Sequence, residues 1–504
     1  MKKRYSSVDL APEDKGEKMK DQKYFLKKAE ENMPKLYSKE MRPEPFSVEV
    51  DHGTSVLLDL GEHCVGNFSF SFDIIDDFIS APVKFTVRFG EDMREINDDF
   101  SAYKGRLGSS WLQEEVLIVD YPGRVEMQRR YSCRYIKITV SVTRRPLRLS
   151  DFCFKAYTSA DMNKLAPSCS ADPLLNKIDT VGALTLKECM QTFLEDGPKR
   201  DRRLWIGDLR LEALTNYYTF NNSEVVKRSL YLIAAGECNS LGFLPSYIYE
   251  TPYFFSGRDN IADYALLFVV AVCDYYEHTK DKETLLDFLE LSKSQLDSLE
   301  KILDERLIVT PQGGWFTFID WCEGLRALTS LQGVYLYTLD RFSAILGEIG
   351  DADAEKYKSL LSKGREAAMR HLYDSEAGLF RNELDGGQIS VHSQVWMILG
   401  GVITGEDAKR SLTLALEDET ALHPFTPYMW HYVLEAMWKI GMQDEAIGCI
   451  KRFWGGMLER GADTFHEVYV PNDPDFSPYF DRMINSLCHA WSCSPSYFIR
   501  KYKL

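Results

Sequence analysis

Residues 193–218 read FLEDGPKRDRRLWIGDLRLEALTNYY. Glu195, Asp196, Asp201 and Asp208 crowd there with Arg200, Arg202, Arg203 and Arg210, around Trp205 and two glycines. Carboxylates ahead of a helix are ordinarily N-terminal caps, worth about 1 kcal/mol. That explains one acid, not three with a Trp between them. Asp208 falls inside the run, and a buried acid there needs a partner that the arginines could supply. Residues of these types can carry general acid–base chemistry; the plainer alternative is a structural ion-pair network in a helical scaffold.

A second cluster, GADTFHEVYVPNDPDFSPYF from Gly461, sets Glu467 among Phe465, His466, Tyr469 and Tyr479. Aromatics beside a carboxylate raise its pKa and offer faces on which a ring can stack. INSLCHAWSCSPSYFI then places His489 and Trp491 just before or within the last expected helix. GGWFTFIDWCEGL carries Trp315, Asp320 and Trp321, and LPSYIYETPYFF carries Tyr247, Tyr249 and Tyr253. Each aromatic alone is more often core than platform. Together they set aromatic-plus-acid loops at several helix junctions, which is what a carbohydrate site requires. The nine histidines form no H-x-x-x-H or comparable pair with an acid, so neither a metal nor another cofactor is expected.

Two regimes of patterning must position these residues. Between about residues 45 and 157, VEVDHGTSVLLDLG, NFSFSFDII, VKFTVRFGE, EEVLIVDY and YIKITVSVTRR alternate with period two, punctuated by Gly, Pro or Asp. Short strands so spaced predict an antiparallel β-sandwich. From Asp172 onward about twelve segments show apolar residues at i, i+3 and i+4, with MINSLCHAWSCSPSYFIRKY as the last. Without a repeat signature, such a series fits a closed ring of six helical hairpins, an (α/α)6 barrel whose rim loops carry the chemistry. The expected division is a peripheral arm over 1–44, the sandwich over 45–160 and the barrel over 161–504.

Of 504 residues, 45% are hydrophobic, enough for a sizeable core, and the net charge of -16 argues against nucleic-acid or anionic-membrane partners. The eleven cysteines show no C-x-x-C pairing, which fits a reducing compartment better than a disulfide framework. No apolar stretch follows the basic start, and none approaches the roughly 20 residues of a spanning helix. A cytoplasmic protein is expected, with a small glycoside or oligosaccharide as partner; the composition excludes neither a monomer nor a homo-oligomer.

DGPKRDRRLWIGD resembles the signature of glycoside hydrolase family 78, the inverting α-L-rhamnosidases, and GADTFHE and SLCHAW resemble two later segments of that family in the right order. The resemblance spans roughly residues 48–504 and implies the same β-sandwich and (α/α)6 barrel. It implies that Asp196, Asp208 and His489 contact sugar, that Trp205 is the signature's Trp and that Glu467 is the general base; Arg200, Trp205, Trp315, Asp320 and Trp321 complete the expected substrate-binding set. Asp201 and Arg202 compete for the general acid's position. A guanidinium has no proton to give usefully, which leaves Asp201. The family's usual Glu is longer than an Asp by one C–C bond, about 1.5 Å. The family's Cys and Gln are here Gly197 and Lys199. The implied activity is hydrolysis of terminal α-L-rhamnosyl or related deoxy-sugar residues. The alternative is a catalytically degenerate carbohydrate-binding protein on the same scaffold.

Overall fold

The structure, a computed structural model, describes residues 19–75, 82–168, 170–257, 259–310 and 316–504. Trp315 lies outside the described residues.

Eight antiparallel strands form the N-terminal sheet: β1 Tyr37–Met41, β2 Ser47–Val50, β3 Ser55–Ile74, β4 Val83–Gly90, β5 Glu114–Val119, β6 Gly123–Glu126, β7 Tyr131–Val142 and β8 Leu147–Thr158. The main path runs β1-β8-β3-β7-β4-β5, with β2 on β8 and β6 on β3. β3 serves both halves. Its pairing with β7 breaks between Asp59 and Cys64, where Gly61 takes φ +81°, a conformation that favours glycine. Beyond the break β3 pairs with β8 and β6. The sheet thereby folds over a core that includes Phe68, Phe70, Phe72, Phe85 and Phe89, giving a sandwich-like region.

β1 corrects the expected boundary at residue 45, because Tyr37–Met41 pairs with Met41's partner Phe154 and its neighbours through Thr158. Its signal was hidden because an edge strand exposes Lys39 and Glu40 and so lacks clean alternation. A short helix ahead of it, α1 Gln22–Glu31, packs on the helical region instead, with Phe25 against Tyr231 and Phe288.

After α2 (Met93–Asn97), which lies in the sheet region, twelve described helices follow: α3 Pro173–Cys189, α4 Ile206–Tyr218, α5 Ser223–Ala234, α6 Ala262–Thr279, α7 Lys282–Glu300, α8 Leu328–Ile349, α9 Ala354–Leu372, α10 Val391–Leu399, α11 Gly405–Glu417, α12 Pro427–Lys439, α13 Gln443–Glu459 and α14 Pro495–Tyr502. They alternate in role. α4, α6, α8, α10 and α12 pack each on the next, and α14 returns to α4. α4, α6 and α10 are buried nearly all round and α5 is buried from Arg228 to its end, whereas α9, α11 and α13 bury one stripe each. No helix among the described residues is long and apolar enough to cross a membrane.

The expected final helix over MINSLCHAWSCSPSYFIRKY is broken. Residues 482–484 and 490–493 form 3-10 turns, and α-helix begins only at Pro495. Proline suits a first helical turn and disfavours helix in the residue before it. The helical region also holds short strands, notably Leu204–Trp205 and Phe255–Ser256 flanking Tyr247–Tyr249, which fasten the signature segment to the tyrosine-rich loop.

Candidate active site

Loops leading into the buried helices α4, α6 and α8 converge on one cavity. The signature segment forms a tight turn before α4: Asp196 N donates to Arg203 O at 3.0 Å, and Arg203 N donates to Asp196 Oδ1 at 3.0 Å. Asp201 and Arg202 take φ of +66° and +53°, a strained region for residues with a Cβ that costs of order 1 kcal/mol each. The turn is held by Arg202, which donates to Pro198 O and to Arg130 O in the sheet region, both at 2.8 Å. Of the two residues that competed for one role in the sequence, Asp201 lines the cavity and Arg202 is spent on the sheet region. Trp205 occupies the N-cap of α4 without a side-chain cap bond, so neither Asp196 nor Asp201 caps that helix.

The cavity measures about 660 Å³. Asp196, Arg200, Asp201, Trp205, Asp208, Trp321, Glu467 and His489 all line it, joining segments more than 250 residues apart. At its floor the Arg200 guanidinium donates to Glu467 Oε2, and the Tyr479 hydroxyl donates to Glu467 Oε1 at 2.5 Å. Arg200 Nε is fixed by Ile484 O at 3.0 Å, and the Arg200 plane lies 4.5 Å from the Tyr479 ring. Its other arm, Nη1, lies 3.6 Å from Asp201 Oδ1, so one guanidinium stands between the two candidate catalytic acids. His489 Nε2 is 3.3 Å from Asp208 Oδ1, and its ring packs on Trp491, whose Nε1 donates to Glu467 O at 3.0 Å.

The acids divide electrostatically. Burial favours the neutral form of Glu467, but the charges of Arg200 and His489 and the Tyr479 hydrogen bond outweigh it and hold this carboxyl below its ordinary range. Asp196 goes the other way: burial, then the nearby Asp201 and Asp208, push it well above. Burial also raises Asp208, against the pull of His489. One turn further along α4, Glu212 is fully buried with neither oxygen hydrogen-bonded, and burial followed by Asp208 and Asp196 lifts it well above the carboxylate range. The site thus holds one acid poised to be ionised beside others poised to keep a proton.

Asp320 does not line the cavity. Its carboxylate is consumed by His392 Nε2 at 2.8 Å, the backbone N–H groups of Phe425 and Thr426 at 2.7 and 3.1 Å, and the Thr426 hydroxyl at 2.6 Å. It ties the loop before α8 to the starts of α10 and α12, so its contribution is to shape the rim. Expected to touch sugar, it is corrected to a rim brace, because these four donors and a fifth, Trp321 N at 2.9 Å, leave its oxygens no lone pair aimed at a ligand.

Several lining residues carried no sequence signal. Leu107 and Trp111 reach the mouth from the sheet region. Tyr264 on α6 reads as core by its spacing. A partial signal existed in Gly207, since a Cβ there would lie 2.5 Å from the Tyr264 ring. Arg203 stands 4.7 Å from the rings of both Tyr247 and Tyr249. Among the described residues, no group of three His, Cys, Asp or Glu side chains is placed to hold a metal ion.

Carboxylates gathered in an aromatic-lined cavity beside a series of helices are the setting of a glycosidase. The chain belongs to glycoside hydrolase family 78: residues 26–152 match the family's α-rhamnosidase N-terminal domain, and residues 167–502 match the bacterial α-L-rhamnosidase six-hairpin glycosidase domain. This confirms the resemblance carried by the three sequence segments. A rhamnosidase from Klebsiella oxytoca, solved with rhamnose bound, superimposes with a TM-score of 0.91 at 34% identity, covering 96% of this chain and 100% of that one. A family 78 rhamnosidase of Bacillus sp. GL1 is similar at TM-score 0.75 and 23% identity, over 91% of this chain and 47% of its own. The Streptomyces avermitilis α-L-rhamnosidase complexed with L-rhamnose gives 0.67 and 18%, over 92% and 44%. The latter two bear on the fold alone. No curated protein matches the chain.

Proposed function

We propose that this glycosidase is an inverting α-L-rhamnosidase acting on small glycosides, built on an (α/α)6 barrel as the alternation of α3–α14 supports. The observation that carries the reading is the placement of Arg200, bonded to Glu467 and 3.6 Å from Asp201. A guanidinium between the two carboxyls keeps them from meeting, which supports the roughly 6.5–9.5 Å spacing of an inverting pair over the roughly 5–5.5 Å of a retaining one. Glu467, held ionised, takes a proton from that water as its oxygen bonds to the anomeric carbon. Asp201 gives its proton to the glycosidic oxygen as the C–O bond breaks. Both groups reset through solvent.

Asp196, Asp208 and His489 bind sugar hydroxyls in this reading; burial favours the neutral form of both aspartates, which can donate as well as accept. Trp205, Trp321, Trp491 and Phe318 supply apolar walls, which suit a deoxy sugar whose methyl group replaces a hydroxymethyl. L-Rhamnose bound to the Klebsiella oxytoca rhamnosidase, 34% identical over nearly the whole chain, supports the choice of sugar. The ten cysteines of the described residues are all free, which supports a reducing, cytoplasmic setting with small imported substrates.

The test is release of 4-nitrophenol from 4-nitrophenyl α-L-rhamnoside by wild type, Asp201→Asn and Glu467→Gln, with the first-formed anomer followed by NMR. Each substitution should lower kcat by about 10²–10⁴, and β-L-rhamnose should appear first. Initial α-anomer would overturn inversion. Binding of the glycoside without turnover by wild type would establish the degenerate binding protein instead.

A further inference from the structure

The segment carrying Glu467 separates two chambers. Glu467 lines the active-site cavity, while Thr464, His466 and Val468 line a second one of about 560 Å³ on its other side. The second chamber lies between the two structural regions, with Met93, Arg94 and Tyr135 from the sheet region facing Tyr469 and Asn485 from the helical one. Its volume falls within the roughly 300–1,000 Å³ typical of small-molecule sites.

Most of its charges are paired in place, while the Arg460 guanidinium donates to the backbone carbonyls of Val470, at 3.2 Å, and Pro471. Arg134 pairs with Asp463 at 2.6 Å, Arg482 with Asp98 at 2.6 Å, and Arg94 with Asp92 at 2.8 Å. What remains unused is polar and neutral. Asn485 is 8% exposed; its Nδ2 is committed to Phe476 O at 2.8 Å, while its Oδ1 is buried with no hydrogen-bond partner. Leaving such an acceptor unsatisfied costs about 1–3 kcal/mol. The His466 ring makes no hydrogen bond among the described residues, and burial keeps it uncharged, with its pKa lowered to about 4. A neutral imidazole offers one donor and one acceptor. Tyr469, with the Arg460 guanidinium 5.0 Å from its ring, adds an aromatic wall.

We propose that this chamber is a second binding site, for one neutral hexose- or deoxyhexose-sized ring whose hydroxyls donate to Asn485 Oδ1 and exchange hydrogen bonds with His466. An anion would find the guanidiniums of Arg94, Arg134 and Arg482 paired with carboxylates and that of Arg460 committed to backbone carbonyls. An apolar ligand would leave Asn485 Oδ1 stranded, whereas a polyol satisfies both free groups while resting on Tyr469. The inference does not depend on the proposed activity, since the groups it uses are not those of the active-site cavity.

Met93 lines this chamber and not the other, which makes its methyl group a local reporter. The protein would be labelled with ¹³C-methyl methionine, the Met93 resonance assigned from Met93→Leu, and wild type titrated separately with L-rhamnose, D-glucose and D-galactose. At least one sugar should move the Met93 resonance along a saturable curve and show intermolecular NOEs to it. Val470→Trp, which fills the chamber from a residue that lines it and not the active-site cavity, should weaken that binding about tenfold or more and leave turnover unchanged. A Met93 methyl unmoved by all three sugars, a shift that never saturates, or full affinity in Val470→Trp would overturn the proposal. If Val470→Trp fails to fold, the wild-type curve and the NOEs decide alone.

Discussion

The guanidinium of Arg200 donates to Oε2 of Glu467, and each side chain is only 2% exposed. Burial is the largest influence on Glu467 and acts to raise its pKa, so the low value rests on Arg200, with help from His489 and Tyr479. Replacing Arg200 by Leu removes the chief opposing charge. The sign follows directly: the base then becomes protonated at higher pH, and the acid limb of kcat/KM moves up. Arg200→Lys keeps the charge but loses the fork that also holds Ile484 O, and should fall between. The pH–rate profiles of the three proteins decide. An acid limb unmoved in Arg200→Leu would show that Glu467 is not the group titrating there.

Gly197 stands where the family signature has Cys. A Cβ added at this position would lie 2.9 Å from Ser486 Oγ and 3.1 Å from His489 Nδ1. The smaller residue lets the Ser486–His489 segment close on the signature turn, with Ser486 Oγ donating to Cys488 O at 2.7 Å. Gly197→Ala is therefore expected to lower stability by about 1–3 kcal/mol through overpacking and to raise KM by displacing His489. Adding Ser486→Ala removes the atom that the new methyl meets most closely, and should recover part of both losses. Thermal unfolding and initial rates of the two variants check this; an unaffected single variant would refute the crowding.

The opening signature was legible because charge density, Trp205 and the glycines made a pattern no ordinary amphipathic helix shows, and Glu467 stood out by its aromatic neighbours. Asp320 looked the same from sequence and proved to brace α10 and α12, because nothing local distinguishes a carboxylate aimed at a ligand from one aimed at backbone N–H groups more than 100 residues away. Leu107 and Trp111 were invisible for a related reason: their place at the mouth is created by packing between the sheet and helical regions. β1 escaped notice because an exposed edge strand has no buried face to write into its pattern. The break before α14 was signalled by Pro495, yet the apolar spacing on both sides of it concealed the stop. What sequence conveys well is local chemistry and period; what it withholds is which distant groups consume that chemistry.

Lys199, another departure from the family signature, shows such long-range consumption. Its ammonium donates to the Glu95 carboxylate on α2, to Met483 O at 3.2 Å and to Asn485 O at 2.8 Å, with 2% of its side chain exposed. Glu95→Ala strands a buried ammonium and should lower unfolding free energy by about 3–5 kcal/mol. Lys199→Met in the same background removes the stranded charge and should restore a large part of that loss, giving a coupling energy of at least ~1 kcal/mol in a double-mutant cycle measured by urea unfolding. Additive losses would show that the pair contributes nothing beyond its separate packing.

His63 offers a pH-dependent test of how the sheet and helical regions are joined. Its Nε2 lies 3.2 Å from Glu91 Oε1, and Glu91 Oε2 accepts from Leu487 N at 2.6 Å, two residues before His489. Burial opposes a charge on His63, but Cys488, the hydrogen-bonded Glu91 and Glu188 prevail and raise its pKa to about 9. In the unfolded chain a histidine titrates near 6.5. The proton is thus held more tightly in the folded state, and its stabilisation is fully present below about pH 6.5 and lost as pH rises through about 9, a change of roughly 3 kcal/mol. His63→Gln cannot take up that proton. Wild type should therefore lose stability between pH 6.5 and 9.5 more steeply than His63→Gln, when urea unfolding is measured at matched ionic strength. Parallel curves for the two proteins would mean that His63 is neutral in the fold, and that Leu487 is held by a Glu91 whose charge is balanced elsewhere.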